Sequence, residues 1–309
     1  MAEPVGPQRI AATADLLKAV FPTSDANTEG YLDWLYRQNP AGQVVEANEW
    51  DAQGMLAHYA VVPQKYSRGG AAPEVWGLSL NTATSDRARG KGLFTKLARE
   101  TYVQASERGL KGVIGVANAN STPGFLRKLD FQLVGPLEAK VGLTLPRASS
   151  RVRNVSAEHI KPEDFAAIAQ ADRRRADSGL AQAWDADLLK WRLSTTRGPL
   201  CVHLHDAGPV LVTRRVTLNH LSVAVLLGTF GLASGKMSRQ LIASALWHWR
   251  APAYIYGGHN NDFPVRGMPV PRRLRPSPLN LIWRDLSGEG SSFSMEALRR
   301  FEFIDFDPY

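Results

Sequence analysis

The stretch Trp76-Gly-Leu-Ser-Leu-Asn-Thr-Ala-Thr-Ser-Asp-Arg-Ala-Arg-Gly-Lys-Gly-Leu-Phe-Thr-Lys-Leu97 decides the fold of this chain. It reads as a buried strand, a short basic glycine loop and the first turn of a helix. From Leu93 the inward positions fall on two neighbouring rows, Leu93, Leu97 and Thr101 beside Phe94, Ala98, Tyr102 and Ala105. That is the three-to-four spacing of one buried helix face. Gly109 supplies the stop. The run Val113-Ile-Gly-Val-Ala then reads as a second strand buried on both faces. Strand, loop, helix and strand make one right-handed crossover unit.

The loop Arg89-Gly90-Lys91-Gly92 carries chemistry as well as shape. It brings the backbone N–H groups of a helix N-terminus, the positive end of the helix dipole and two cationic side chains to one place. All three favour a bound phosphate. Glycine at 90 and 92 lets the backbone approach that phosphate closely. The loop is therefore a candidate cradle for the diphosphate of a nucleotide-like cofactor, with an ordinary tight turn as the alternative.

With these residues the chain resembles the GNAT superfamily of acyl-CoA-dependent N-acyltransferases. That family opens a helix after its fourth strand with Arg or Gln, two residues, Gly, one residue, then Gly or Ala. Arg87 with Gly90 and Gly92 matches the bare pattern, but Arg89 with Gly92 fits the strand and helix boundaries better and places Phe94 where a small residue is usual. The family's next landmarks are an Asn at the end of the fifth strand, a helix and a closing Leu-Gly-Phe. Here they correspond to Gly115-Val-Ala-Asn-Ala-Asn120-Ser-Thr-Pro-Gly-Phe-Leu-Arg-Lys-Leu129-Asp130-Phe131. Asp130 stands where the family has Gly. Leu126 stands where many members carry a Tyr that protonates the departing thiolate. The resemblance covers about residues 30 to 145.

Length and composition agree. At 309 residues the chain is long enough for two domains, and 44% hydrophobic residues suit a sizeable core. The longest apolar run, residues 221–227, is far short of the ~20 residues that a membrane span requires. The N-terminal residues lack the basic start and apolar segment of a signal peptide, so a cytoplasmic location is expected. The lone Cys201 excludes an internal disulfide and a cysteine metal cluster, and reads as a small buried hydrophobe. No metal site is expected. A net charge of +8 favours an anionic partner. Zinc-finger spacing, a basic zipper and an RNA-recognition motif are not found, so nucleic acid is not expected, and neither is a membrane partner. Part of the charge, Asp172-Arg173-Arg174-Arg175, reads as a solvated helix face. Another part, Arg272, Arg273 and Arg275, lies in the Pro-rich stretch 268–278, as a loop over an anionic ligand or a basic surface connection.

The second half repeats the plan of the first. A polar stretch around residues 146–153 suggests a boundary. Beyond it, Leu188-Leu-Lys-Trp191 echoes Tyr31-Leu-Asp-Trp34, and strand, helix and strand signals follow at residues 221–229, 238–249 and 254–261. Between Phe230 and Ser238, however, there is no Arg-Gly-x-Gly opening. One CoA site is expected, in the first half.

The expectation is thus an α/β chain of two tandem GNAT-like domains, each a mixed twisted sheet with flanking helices. Residues 1–148 would bind acyl-CoA, acetyl-CoA or a longer acyl-CoA. Residues 149–309 would form a degenerate copy that binds the acceptor. The resemblance implies CoA contacts at Asn81, Thr82, Ala83 and Thr84 in the strand, at Arg89, Gly90, Lys91, Gly92, Leu93 and Phe94 in the loop and helix start, and at Asn120. It implies oxyanion stabilisation by a splayed amide near Asn81, Thr82 and Ala83. His58 is the candidate base, with a satisfied core histidine as its alternative; Glu46 and Asp51 are weaker candidates. His259, Asn260, Asp262, Arg272 and Arg273 are the candidate acceptor-binding residues. Within the resemblance, Tyr31-Leu-Asp-Trp-Leu-Tyr and His58-Tyr-Ala-Val-Val-Pro are most similar to acyltransferases of nucleotide-linked amino sugars, which implies an anionic amine acceptor. The alternatives are an N-acetyltransferase of a small amine or antibiotic, an aminoacyl-tRNA-dependent transferase and a CoA-binding protein without turnover.

Overall fold

The computed structural model describes residues 5–24, 27–69, 71–173, 179–271, 275, 277–290 and 293–306. Helices α1 (Pro7–Val20) and α2 (Glu29–Tyr36) precede the hairpin β1 (Val45–Asp51) and β2 (Gly54–Arg68). Then come β3 (Glu74–Thr84), α3 (Leu93–Glu107), β4 (Gly112–Ala117), α4 (Thr122–Lys128), β5 (Gln132–Pro136) and β6 (Glu138–Leu143). The second half runs β7 (Val152–Ser156), α5 (Pro162–Arg173), β8 (Leu180–Gln182), α6 (Ala186–Leu193), β9 (Cys201–His205), β10 (Val210–Leu218) and β11 (Leu221–Phe230). It ends with α7 (Gly235–Trp249), β12 (Ala253–Asn260), β13 (Met268–Pro269), β14 (Asn280–Asp285), β15 (Arg300–Glu302) and α8 (Phe303–Phe306). The periodicity of α3 holds: Leu97, Ala98, Thr101, Tyr102 and Ala105 are buried, and Gly109 takes a left-handed φ of 80° just beyond the helix.

Two mixed sheets result, in the order β1-β2-β3-β4-β14-β5 and β13-β6-β12-β11-β10-β9-β7, with β8 added to β2 and β15 added to β12. The halves exchange strands. β14 comes from the second half and lies between β4 and β5, while β6 comes from the first half and lies between β12 and β13. A cut at residue 148 therefore leaves two strands of the first sheet, β8 and β14, and one of the second, β6, on the far side.

The same internal symmetry shows at the join between the halves. Thr28 caps α2 by accepting from Tyr31 N, and Asp185 caps α6 by accepting from Leu188 N. The caps hold the two helices so that Trp34 stacks on Trp191, ring centroids 4.7 Å apart. Each indole N–H donates to the other tryptophan's backbone carbonyl at 3.0 Å, across 157 residues of sequence. Both indoles are buried with their donors satisfied, so this contact joins the halves without an orphaned polar group. The charged run at the end of α5 departs from expectation. Asp172 is 4% exposed and paired with Arg299 and Arg300, not solvated. Arg174 and Arg175 lie outside the described residues.

Candidate functional site

Strands β3 and β4 run parallel but pair only at Gly77 with Val113, Leu78 with Ile114 and Ser79 with Gly115. Beyond that point they part. The cause lies in β3: His58 faces Ala83 and Ala60 faces Leu80, so Asn81 and Thr82 together oppose Tyr59 alone. This extra residue is a β-bulge, and it bends the strand. Asn81 takes the turn at φ 55°, a left-handed value that asparagine tolerates better than most residues. Residues 80–84 consequently carry backbone groups that no β4 residue pairs. An extended ligand can meet such groups as an added strand.

The loop after β3 ends at the start of α3. Gly90 and Gly92 have φ of 78° and 73°, which explains glycine at both positions. A Cβ built at either meets nothing within 4 Å, so the space around the loop is open. Gly92 is the N-cap of α3 and no side chain caps it. The amides of Leu93, Phe94 and Thr95 therefore have no intrahelical acceptor. Arg89 and Lys91 flank them on the surface, with Arg89 2.8 Å from the exposed Asp86. Arg87 is committed elsewhere, at 2.6 Å from both Asp51 and Gln53 of the β1–β2 turn. The bulk of Phe94 packs behind the loop, edge-on to Phe125 and Tyr59.

Asn120 is exposed in the turn after β4. The residue that builds this turn is Asn118. Its side-chain oxygen accepts from the amides of Asn120 and Ser121 at 3.0 and 2.8 Å. Asn118 was not singled out from sequence, although an Asn just past a strand and three residues before a helical run is an Asx-turn signal. Asp130 has φ 52°, so it occupies the left-handed position that a glycine takes most easily. Leu126 is half-buried against the core of the first half.

A buried hydrogen-bonded chain holds the bulge from below. Asn81 Nδ2 donates to Tyr36 Oη at 3.1 Å, Tyr36 Oη lies 2.9 Å from His58 Nε2, and His58 Nδ1 lies 2.6 Å from Asn48 Oδ1. With Asn48 Oδ1 as acceptor, Nδ1 carries the proton and Nε2 accepts from the tyrosine hydroxyl. His58 is 1% exposed, and burial pushes its pKa down to about 3, so the ring is neutral. Burial also pushes the Tyr36 phenol far above its usual range. Glu46 Oε2 lies 3.6 Å from His58 Nδ1, and burial raises that carboxyl's pKa against the opposing pull of Arg9 at 3.3 Å. The structure thus links His58 to Asn81 through Tyr36, with Asn48 holding the far side of the ring; sequence reasoning names neither Tyr36 nor Asn48. Ala83 is buried, and Thr82 and Thr84 are half-buried.

The equivalent places in the second half are closed. β11 and β12 pair from Val223 with Ala253 to Leu226 with Tyr256, then part as β3 and β4 do. Here the chain fills its own gap: β15 pairs with residues 258–260 of β12, and the Glu302 carboxylate accepts from Thr229 N at 2.8 Å and Thr229 Oγ1 at 3.0 Å. The N-terminus of α7 is capped by Ser234, which accepts from Met237 N. His259 Nε2 contacts Leu298 O at 3.0 Å, Asn260 donates to Thr229 Oγ1 at 2.6 Å, and Asp262 pairs with Arg299 at 3.1 Å. These three candidate acceptor-binding residues lie in an internal network around β15. Arg272 and Arg273 lie outside the described residues. Arg275 donates to the backbone carbonyls of Val270 and Leu137.

No family model and no curated protein matches this sequence. Solved structures do match. A GCN5-related N-acetyltransferase from Anabaena variabilis superposes with a TM-score of 0.64 at 12% identity, covering 91% of this chain and 71% of that one. A conserved protein of unknown function from Enterococcus faecalis, described as a probable N-acyltransferase, gives 0.62 at 12% identity, covering 92% and 72%. N-myristoyltransferase of Saccharomyces cerevisiae with bound myristoyl-CoA gives 0.58 at 10% identity, covering 90% and 80%. At these identities the likeness is one of fold, and the chain has the tandem GNAT-like fold of these proteins.

Proposed function

We propose that this protein transfers an acyl group from acyl-CoA to an amine. The observation that carries the reading is the contrast between the halves: the parted strands and the helix N-terminus are open in the first and closed by the chain itself in the second. The fold neighbours support it, one of them holding myristoyl-CoA. When bound, acyl-CoA supplies an acyl group activated as a thioester. The amides of Leu93, Phe94 and Thr95, with Arg89 and Lys91, hold the diphosphate. The free edge at residues 80–84 pairs with the pantetheine arm, and Asn120 borders it from the end of β4. An amide of Asn81, Thr82 or Ala83 at the bulge stabilises the charge that develops on the thioester oxygen. Asn81 is held by Tyr36 and His58, so those two residues preorganise the amide. His58, sealed and neutral, acts by positioning in this reading.

The positive balance of the chain favours an anionic acceptor, for which a nucleotide-linked amino sugar is the finer proposal. The apolar Leu126 in α4 favours a second reading, a protein that binds CoA without turnover. Titration calorimetry with CoA, followed by a panel of acyl-CoAs and amines assayed for thiol release, tests both. The expected result is one CoA per chain, thiol release that depends on the amine, and faster turnover of the nucleotide-linked sugar than of the free one. Binding without thiol release supports the second reading. Equal turnover of the two sugars removes the nucleotide-linked acceptor. No CoA binding overturns the function.

A further inference from the structure

The two sheets end differently beside their hairpins. In the second sheet the hairpin strand β9 is covered by β7, through five antiparallel pairs from Val152 with His205 to Ser156 with Cys201. β7 runs between two helices and gives a side chain to each. Asn154 accepts from Ser244 of α7 at 3.0 Å, and Arg153 pairs with Asp164 of α5 at 2.7 Å. In the first sheet β1 holds the place of β9, at the start of the same series of three strands, a helix and a strand. Here it is the edge: among the described strands β1 pairs with β2 alone.

Helices stand on either side of that edge, as α5 and α7 stand beside β7. Glu46 and Asn48 lie opposite Ala60 and His58 on the face that α1 covers, where Arg9 reaches Glu46 at 3.3 Å. Val45 and Ala47 lie on the other face, in the core under α3. Arg9 of α1, Glu100, Gln104 and Arg108 of α3, and Glu46 and Trp50 of β1 line a single groove along the edge. An antiparallel strand spends only alternate backbone groups on each neighbour, so the unspent groups of β1 form the floor of this groove. Such an edge is a template for another strand. We infer that the groove takes an extended, polar peptide segment of about five residues, which adds to β1 as β7 adds to β9. The walls set its character. One presents an acid, an amide and a base from α3, and the other the ion pair of Arg9 with Glu46, so both faces of the segment meet hydrogen-bonding groups. β7 shows the same character in Arg153, Asn154 and Ser156. Trp50, 46% exposed, offers its ring to one end of the segment. A second copy of the chain would bring its own α1 and α3 against these walls, whereas a lone strand fits between them. The inference does not depend on acyl transfer.

The test begins with a random seven-residue peptide library displayed on phage, selected on the full chain, with the selected peptides then synthesised alone. At least one is expected to bind and to slow hydrogen exchange, by about tenfold or more, at the fast-exchanging amides of residues 45–50. Methylating the backbone nitrogens of that peptide one at a time should abolish binding at alternate positions and spare it between them, as one-sided strand pairing requires. Gln104→Trp, which fills the groove from α3, should weaken binding at least about tenfold. Arg99→Ala, elsewhere on α3, should leave it unchanged. Circular dichroism checks the fold of each variant, and the methylation series uses the wild-type chain, so it does not depend on a variant folding. Selection of no peptide, or only of peptides that leave β1 unprotected, overturns the inference, as does binding indifferent to methylation at every position. A concentration-dependent dimer that protects the same amides and is dissolved by Gln104→Trp would put a second copy in the groove and overturn the peptide assignment.

Discussion

Replacing Gly92 by aspartate separates the proposed anion cradle from the fold that carries it. Gly92 has φ 73°, and a Cβ there meets no atom within 4 Å, so the substitution costs conformation and not space. A left-handed L-residue costs roughly 1–2 kcal/mol, and aspartate lies at the low end because it visits that region more readily than most. A carboxylate at the N-terminus of α3 recovers about 0.3–1 kcal/mol from the helix dipole. Stability should therefore fall by only about 1 kcal/mol. Affinity for CoA should fall further. A carboxylate about 5 Å from a diphosphate charge, at an effective dielectric near 20, is opposed by about 3 kcal/mol before solvent screening. After screening, a loss of at least about 1.4 kcal/mol, or tenfold in Kd, is expected. Calorimetry with CoA and urea unfolding of the same samples measure both quantities. Gly92→Ala provides the strain without the charge and should keep Kd within about threefold. A folded Gly92→Asp protein that binds CoA as the wild type does would refute the cradle.

Ser234→Ala removes the cap of α7, so it should cost about 1 kcal/mol in urea unfolding and leave the CoA Kd unchanged; a weakened Kd would mean that the second half also binds CoA. Tyr36→Phe leaves His58 Nε2 buried without a donor, at about 1–3 kcal/mol in unfolding free energy. It should reduce thiol release at least tenfold (about 1.4 kcal/mol) with little change in CoA affinity, and unaltered turnover would remove the positioning role. Burial lowers the pKa values of His58 and His203 from 6.5 to about 3, so both rings should stay neutral by NMR from pH 7 down to about 5. Only the unfolded chain then takes up these protons, so the stability they contribute is present above pH 6.5 and is lost as pH falls towards 3. Glu302 and Asp305, raised by burial to about 7 and about 6, act in the opposite sense, losing stability as pH rises through those values. His58 titrating above pH 5 would contradict the sealed network, and His203 doing so would contradict its complete burial. Trp191→Ala empties the stacked contact with Trp34 and should cost about 3–5 kcal/mol, with both halves still melting together in calorimetry; two separate transitions would show that the exchanged strands do not couple the halves.

The crossover unit was legible because its signals are local. Residues 93–105 repeat at helical spacing, Gly109 stops the helix, and an apolar run marks β4. The pairing of tryptophans at 34 and 191 was visible as an echo in sequence, although their mutual contact was not. Strand exchange was not legible: the patterns of β6 and β14 report which faces are buried and say nothing of which neighbour lies alongside. The bulge at Asn81 was hidden for a related reason, since its left-handed turn depends on Tyr36 and His58 arriving from other elements. His58 looked like a base because its type fits that role, but its exposure and partners are tertiary facts. The turn at residues 257–262 looked open for the same reason. What occupies it, β15, lies some forty residues further along the chain.

Strand exchange also sets a timetable for biosynthesis. β4 cannot acquire its β14 partner until residue 285 has left the ribosome, roughly 170 residues after β4 itself emerges. At about 5–20 residues per second, that is on the order of 10–30 s during which an apolar strand edge stands open on the nascent chain. β6 is in the same position, made early and awaiting β12. A chain built this way depends on whatever guards unpaired edges in the cell, and slower translation of its second half would lengthen the exposure.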